Sequence, residues 1–444
     1  MKLKVCIICL LLSGTLHVSG QDSTMVKPSV WNLKTCIDYA CKNNIQVQKA
    51  RISVQESNVD LQQSKTALLP SISASSSLNF SNGKVQDDDG AYLNNSSLGS
   101  SYSINAGMTL FDGLSNYNTI KQNKLQTKVS ELNTKETENS IIIAITEAYL
   151  EMLYAHENLD MAKRTAETSK AQVSVSENLL KAGSIAKADF SQVKAQYSSD
   201  LYNIVNAQNN FETSKLTLKQ LLELDMTDDF EISIPEISDD EVMKLLPSKV
   251  EVYQTALNVM PEIQSSDLSI DVANLDLKKA KGAYLPSLSF SAGINTGHNS
   301  VSTNAYSDQL SDNLGQSVGL SLSIPIYSRG TVKSSVQKAK LGIESAKLDY
   351  TNSQKELLKT IESVYLDAVS AQSKYMAAKE QLASAEESYS LTEEQFKLGM
   401  KNTVELLTEK DNYLEAENSL LQAKYGAVLS QKLLNFYQNQ SIEL

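Results

Sequence analysis

Two hydrophobic periods alternate along this chain, and they change over at prolines. Up to Leu68-Leu69 the apolar residues recur at helical spacing. After Pro70 they alternate strictly, with Ile72, Ala74, Leu78 and Phe80 against Ser71, Ser73, Ser75, Ser77 and Asn79. The same switch returns 216 residues later at Tyr284-Leu285-Pro286-Ser287. Leu288, Phe290, Ala292 and Ile294 then stand against Ser287, Ser289, Ser291, Gly293 and Asn295. Proline has no N–H with which to continue a helix, and it pushes the preceding residue into extended backbone. Pro70 and Pro286 are therefore predicted to be helix-to-strand corners. Another alternating segment runs from Ser101 to Phe111, with Tyr102, Ile104, Ala106, Met108 and Leu110 facing one way. A loop over 82–99 joins it to the first strand. A second hairpin, with an outer loop at 297–315, fills 286–327.

The remaining pattern is helical. Trp31 to Leu68 reads as one helix with Asn32 as its cap. No proline or glycine falls between Leu114 and Ala182, so a helix of about 100 Å is expected there at 1.5 Å per residue. Its lower half carries a heptad stripe: Ile145, Ala148, Met152, Ala155, Leu159, Ala162, Ala166, Ser169, Val173, Ser176 and Leu180. Steps of three and four without a slip mark a coiled coil, and the small residues let its partner approach closely. Gly183 ends the helix, and a return helix runs to about Leu224. The stripe recurs as Ile361, Val364, Ala368, Ala371, Tyr375, Ala378, Leu382, Ala385, Tyr389, Thr392 and Phe396. Tyr149-Leu150 repeats as Tyr365-Leu366, Gly183 as Gly399 and Tyr197 as Tyr413, all at the same offset of 216. The chain is thus an internal duplication of the plan helix, strand, strand, very long helix, turn, helix.

This divides the chain into eight parts. Residues 1–20 have the charged start, short apolar run and small-residue cleavage site of a signal peptide. An N-terminal segment and first helix follow at 21–69, then the first hairpin at 70–112. The long helix, tip and return helix of repeat 1 fill 113–224, and an acidic linker spans 225–249. Repeat 2 supplies a helix at 250–285, the hairpin at 286–327, and at 328–444 its long helix, tip, return helix and tail. Cys36 and Cys41 remain after cleavage. Five residues apart on a helix they diverge by about 140°, so free thiols are expected rather than a disulfide.

The formal charge of −12 argues against nucleic acid as a partner. No nucleophile–base–acid set, phosphate loop or dinucleotide motif is present, so no catalytic residues, enzyme activity or cofactor are expected. No Cys/His metal spacing exists either, and His156 and His298 fall on different elements. The Asp87-Asp88-Asp89 run lacks the further ligands of a calcium loop. No run of 18 apolar residues follows the signal segment. The strands, however, cross roughly 24 Å if ten residues long and tilted near 45°. Their polar faces hold Ser, Gly, Asn and Thr without charge, which suits a water-filled lumen; their apolar faces suit lipid. Open edges cannot persist in lipid, and four strands cannot close. Two copies would give a filled eight-stranded barrel and three an open twelve-stranded one. The alternative is a secreted or periplasmic coiled-coil structural or adhesive protein with two hairpins.

Trp31-Asn32-Leu33 through Ala40, Asn43-Asn44, the Leu-Pro-Ser corners, Leu110-Phe111-Asp112-Gly113 and the two glycine turns together resemble the TolC-like outer-membrane efflux proteins. The resemblance implies a mixed α and β membrane protein. Long antiparallel coiled-coil helices would form a periplasmic α-barrel, and four strands per chain would enter a shared 12-stranded trimeric β-barrel. It further implies a homotrimer in the outer membrane of a Gram-negative bacterium. That trimer would be an exit duct for efflux or type I secretion, docked on a periplasmic adaptor and an inner-membrane transporter of RND, ABC or MFS type. In the family the acidic linker and C-terminus form an equatorial belt, and the tips meet the adaptor. Here the tips correspond to Leu180, Ala182, Gly183 and Ser184 and to Leu398, Gly399 and Met400. Acidic residues inside the aperture map onto Asp189 and Glu405, and a basic partner maps onto Lys401. A second aspartate expected at 408 is replaced by Thr408, with Glu409 beside it.

Overall fold

The structure, a computed structural model, describes residues 30–86, 90–225 and 227–444. The signal segment and the Asp87–Asp89 run lie outside the described residues. The elements, in chain order, begin with α1 (Leu33–Asn43), α2 (Ile45–Thr66), β1 (Ser71–Gln86), β2 (Tyr92–Asp112), α3 (Ser115–Lys181) and α4 (Lys187–Leu221). A four-residue helix, α5 (Asp239–Val242), lies in the linker. Repeat 2 follows as α6 (Lys249–Val259), α7 (Pro261–Gly282), β3 (Ser287–Asn299), α8 (Tyr306–Asp312), β4 (Gly315–Ser323), α9 (Thr331–Lys397) and α10 (Thr403–Tyr437). Each helix of repeat 1 has a counterpart displaced by 216 residues at both ends: α1 and α6, α2 and α7, α3 and α9, α4 and α10.

Both stripes lie inward, and none of their residues is exposed. Side chains three and four apart share one helix face, so each 67-residue helix buries a seam against its return helix. The helix expected over Trp31–Leu68 is instead two. Asn44 adopts extended backbone between them, and its side chain accepts the Gln46 N–H at 2.9 Å and donates to the Leu221 carbonyl at 3.0 Å. An asparagine cap thus starts a new helix. The matching break in repeat 2 falls at Met260, before Pro261 at the first helical position, where the missing N–H costs nothing.

The four strands form one antiparallel sheet in the order β1-β2-β3-β4. They overrun the expected loop at 82–99: pairing continues through Gln86↔Tyr92. Ladder bonds satisfy the polar backbone of that stretch even though its side chains carry little apolar signal. In the second outer loop, the turn of α8 docks on β3. Leu110 is a bulge: Thr109 pairs with Ser289 and Phe111 with Leu288. Phe111 rather than Leu110 therefore sits opposite Leu288, because one extra residue shifts the alternation. Elsewhere the faces are as expected, with Ile104↔Ile294, Met108↔Phe290 and Phe290↔Leu320 on one side and Asn105↔Gly293 on the other.

The linker binds the helices together at mid-height. Its Phe230–Ile234 piece runs alongside Trp31, with Trp31 N–H on Glu231 O and Ser233 N–H on Trp31 O, both 2.9 Å. The Tyr149 hydroxyl donates to Ser233 O at 2.6 Å. Asp239 accepts from Tyr375 and Lys379, and Lys432 pairs with Glu241. A core of Trp31, Cys36, Tyr149, Leu150, Leu153, Leu421 and Val428 lies beneath it. Cys36 and Cys41 are free thiols on α1, and burial pushes them up to about 12 and about 11.

Candidate functional site: the two tips and the open sheet

The tips are built alike. Gly183 and Gly399 take left-handed backbone, φ 75° and 72°, a conformation that glycine adopts without a Cβ clash. In the first tip Gly183 N–H donates to Leu180 O and Ser184 N–H to Leu179 O. In the second Gly399 N–H donates to Phe396 O and Met400 N–H to Gln395 O. These paired bonds close the last turn of each long helix.

The acids begin the return helices. Asp189 accepts the Ala186 N–H at 3.1 Å. Glu405 is more heavily used: one oxygen accepts the Asn402 N–H at 3.0 Å and the other the Lys401 ammonium at 2.8 Å, while Asn402 accepts Glu405 N–H at 2.9 Å. This is a reciprocal capping box. The Lys401 ammonium, then the Asn402 N–H, hold the Glu405 carboxyl below its usual range. Within one chain, therefore, Lys401 and Glu405 engage each other, and Asp189 lies on the other tip. Glu409 accepts from Ser388 at 2.8 Å, tying α10 to α9, and Thr408 is exposed. Leu398 and Met400 are exposed apolar side chains at the second tip, as is Val404 beyond it. Leu180 is half-buried; Ala182, Gly183 and Ser184 are open to solvent.

One cluster was not anticipated from the sequence. Lys410 on α10 donates to Asp200 on α4 at 2.6 Å and to Ser169 on α3, and Ser169 also donates to Asp200. The lysine and aspartate are 2% and 1% exposed. The signal was present in the spacing. Val193, Asp200 and Ala207 stand seven apart on α4, all buried, so a carboxylate occupies a core position of the coil.

At the opposite end, Pro70 and Pro286 each lie one residue before a strand. The sheet above them is apolar on one face and lined with Ser, Gly and Asn on the other. Among the described residues β1 pairs only with β2, and β4 only with β3, so two edges remain open. No described helix is long and apolar enough to cross a membrane.

Long coiled-coil hairpins surmounted by a few strands of an unclosed sheet define the protomer of a mixed α/β outer-membrane channel. The chain belongs to the outer membrane efflux protein family, whose pattern matches residues 36–223 and 252–437, one block for each repeat. It is similar to the outer membrane protein TolC of Salmonella enteritidis, 24% identical over 404 residues that cover 90% of this chain and 80% of the relative. It is also similar to the outer membrane efflux protein BepC of Brucella suis, 23% identical over 428 residues covering 96% and 88%. Among solved structures CusC superposes with a TM-score of 0.79 at 17% identity, covering 94% of this chain and 96% of that one.

Proposed function

We propose that the chain is the outer-membrane exit duct of an efflux or type I secretion system, closed as a ring of three copies. The observation that carries this is the open sheet: an apolar face, a small polar face and two unpaired edges above helices about 100 Å long. Unpaired strand edges are not tolerated in hydrocarbon. Three copies bring about twelve strands together, enough to enclose an aqueous bore. Its lining is Ser, Gly and Asn for most of its height, with Asp112 at the corner end accepting the Asn116 N–H, so cargo meets little charge along the bore and conduction is passive.

The helices then hang on the periplasmic side, since each hairpin returns the chain to the face it left. The tips, with exposed Leu398 and Met400 and the glycine turns at 183 and 399, are the surfaces offered to a periplasmic adaptor. An inner-membrane transporter beyond that adaptor selects the cargo. Asp189, Glu405 and Lys401 surround the lower aperture in three copies each. Like carboxylates about one axis repel and narrow the set of ions that pass.

The protein is expected in outer-membrane fractions, extracted by detergent as a trimer. A monomer in the soluble periplasmic fraction would instead identify a secreted coiled-coil protein. In planar bilayers Asp189→Ala and Glu405→Ala are expected to raise single-channel conductance; no change in either would leave both acids as helix caps alone.

A further inference from the structure

The duplication makes the chain a template for its own assembly. Inside the chain α7 and α10 of repeat 2 pack on α3 of repeat 1, and β3 pairs with β2. Displacing that seam by 216 residues pairs α2 and α4 with α9, and β1 with β4. Within one chain neither α2 nor α4 packs on α9, and β1 and β4 are opposite edges of the sheet. In the ring proposed above, this second seam lies between subunits, with α2, α4 and β1 of one against α9 and β4 of the next. We propose that Lys338 crosses it to Asp60 and Gln63 of the neighbouring subunit and so sets its register.

Burial supports the seam position by position. Val59 on α2 is 66% exposed, and its counterpart Leu275 on α7 is 7% exposed. Leu366 on α9 is 66% exposed against 2% for Leu150 on α3. Val205 on α4 is 65% exposed against 8% for Leu421 on α10. Thus apolar residues are bare on the faces that lack a partner and covered where the partner repeat is present. Large apolar side chains left in water at repeating positions mark a contact surface. Its occupant is a second copy of this chain, since only that copy presents the matching faces.

Polar groups fix the register. On the internal seam Gln122 of α3 donates to Asp276 and accepts from Lys279 of α7, both at 2.8 Å. The displaced positions are Lys338 on α9 and Asp60 and Gln63 on α2. An ammonium thus replaces the amide opposite a carboxylate and an amide oxygen, and it can donate to both. Asp60 and Lys338 are exposed in the single chain. Such a pair sets alignment more than affinity. The sheet agrees. Displacing Ile104↔Ile294 and Tyr102↔Thr296 places Leu320 opposite Leu78 and Val318 opposite Phe80 of the neighbour, all four exposed in the single chain.

The inference rests on the ring proposed above, and cross-linking separates the two. Full-length D60C/K338C, treated in the membrane with a short bismaleimide, is expected to shift from monomer to dimer and trimer bands in denaturing gels. D60C and K338C alone control for Cys36 and Cys41 and are expected to stay monomeric. Q122C/D276C, the internal counterpart, is expected to close within one chain. In parallel D60K and K338D are each expected to lower trimer yield in high-stringency detergent, and D60K/K338D to restore it. A native trimer in which D60C/K338C stays monomeric while Q122C/D276C closes would overturn this register and leave the ring standing. A detergent-solubilised monomer would overturn both.

Discussion

At the residue scale the informative pair is Lys410 and Asp200. Neither reaches water, and Ser169 completes their hydrogen bonding. Such a pair adds little net stability over apolar residues, because desolvation offsets most of the attraction. Removing one partner is different, since it strands a buried charge. Lys410→Met is therefore expected to destabilise the protein by about 3–5 kcal/mol, and Lys410→Met/Asp200→Leu by much less, read as thermal midpoints of the purified protein. Equal losses in both variants would mean that packing, not charge, dominates there. The corresponding positions of the other repeat are Lys194, Ala416 and Ala385, so this bond links the two repeats within a chain and has no copy elsewhere. The heptad spacing could have exposed Asp200. What spacing alone does not reveal is that its partner lies 210 residues away on another helix.

At the element scale, periodicity made the long helices and their stripes legible, because a single face must be buried along the whole length. The corners were legible from proline chemistry. The break at Asn44 was not, since Asn44 stops α1 through a contact with Leu221 that is distant in sequence; the break at Met260 carries its signal in Pro261, which forces extended backbone on the residue before it. The strand residues over 82–99 are not legible in the sequence because ladder bonding, not side-chain alternation, holds them. A close approach shapes the upper corner: a Cβ placed on Gly113 would lie 2.1 Å from the Gly282 carbonyl oxygen, and one on Gly282 2.4 Å from the Gly113 oxygen. Backbone meets backbone there, where a strand passes into α3. Gly282→Ala must push the corner apart. It is expected to reduce trimer yield and outer-membrane insertion, measured by heat-modifiability on gels. The counterparts displaced by 216 residues are Thr66 and Arg329, which carry side chains and are exposed in the single chain, so Thr66→Ala is expected to be mild by the same assay.

At the scale of the whole molecule the sequence carried the duplication, the family and the layered plan of sheet over coils, because each rests on patterns longer than a hundred residues. The site was less legible. Asp189 and Glu405 could be located from the turns, yet their bonding to Ala186, Asn402 and Lys401 is set by local cap geometry. Which groups of a neighbouring copy they meet is a property of an assembly, not of one chain.

The constant displacement between repeats makes the chain a pair of matched rulers. Both long helices have 67 residues and both return helices 35, so the two tips hang at one level. Each residue adds about 1.5 Å and a turn of about 100°. A heptad added to α3 and α4 alone would lower one tip by about 10 Å and leave its new surface with nothing beside it. A heptad added at matching places in all four helices would lengthen the duct and keep every seam. The first variant is expected to lose adaptor-dependent export, the second to assemble with a longer shaft visible by electron microscopy. Change in length is then tolerated only in duplicate, so the span from membrane to tip is inherited as a single quantity written twice in one gene.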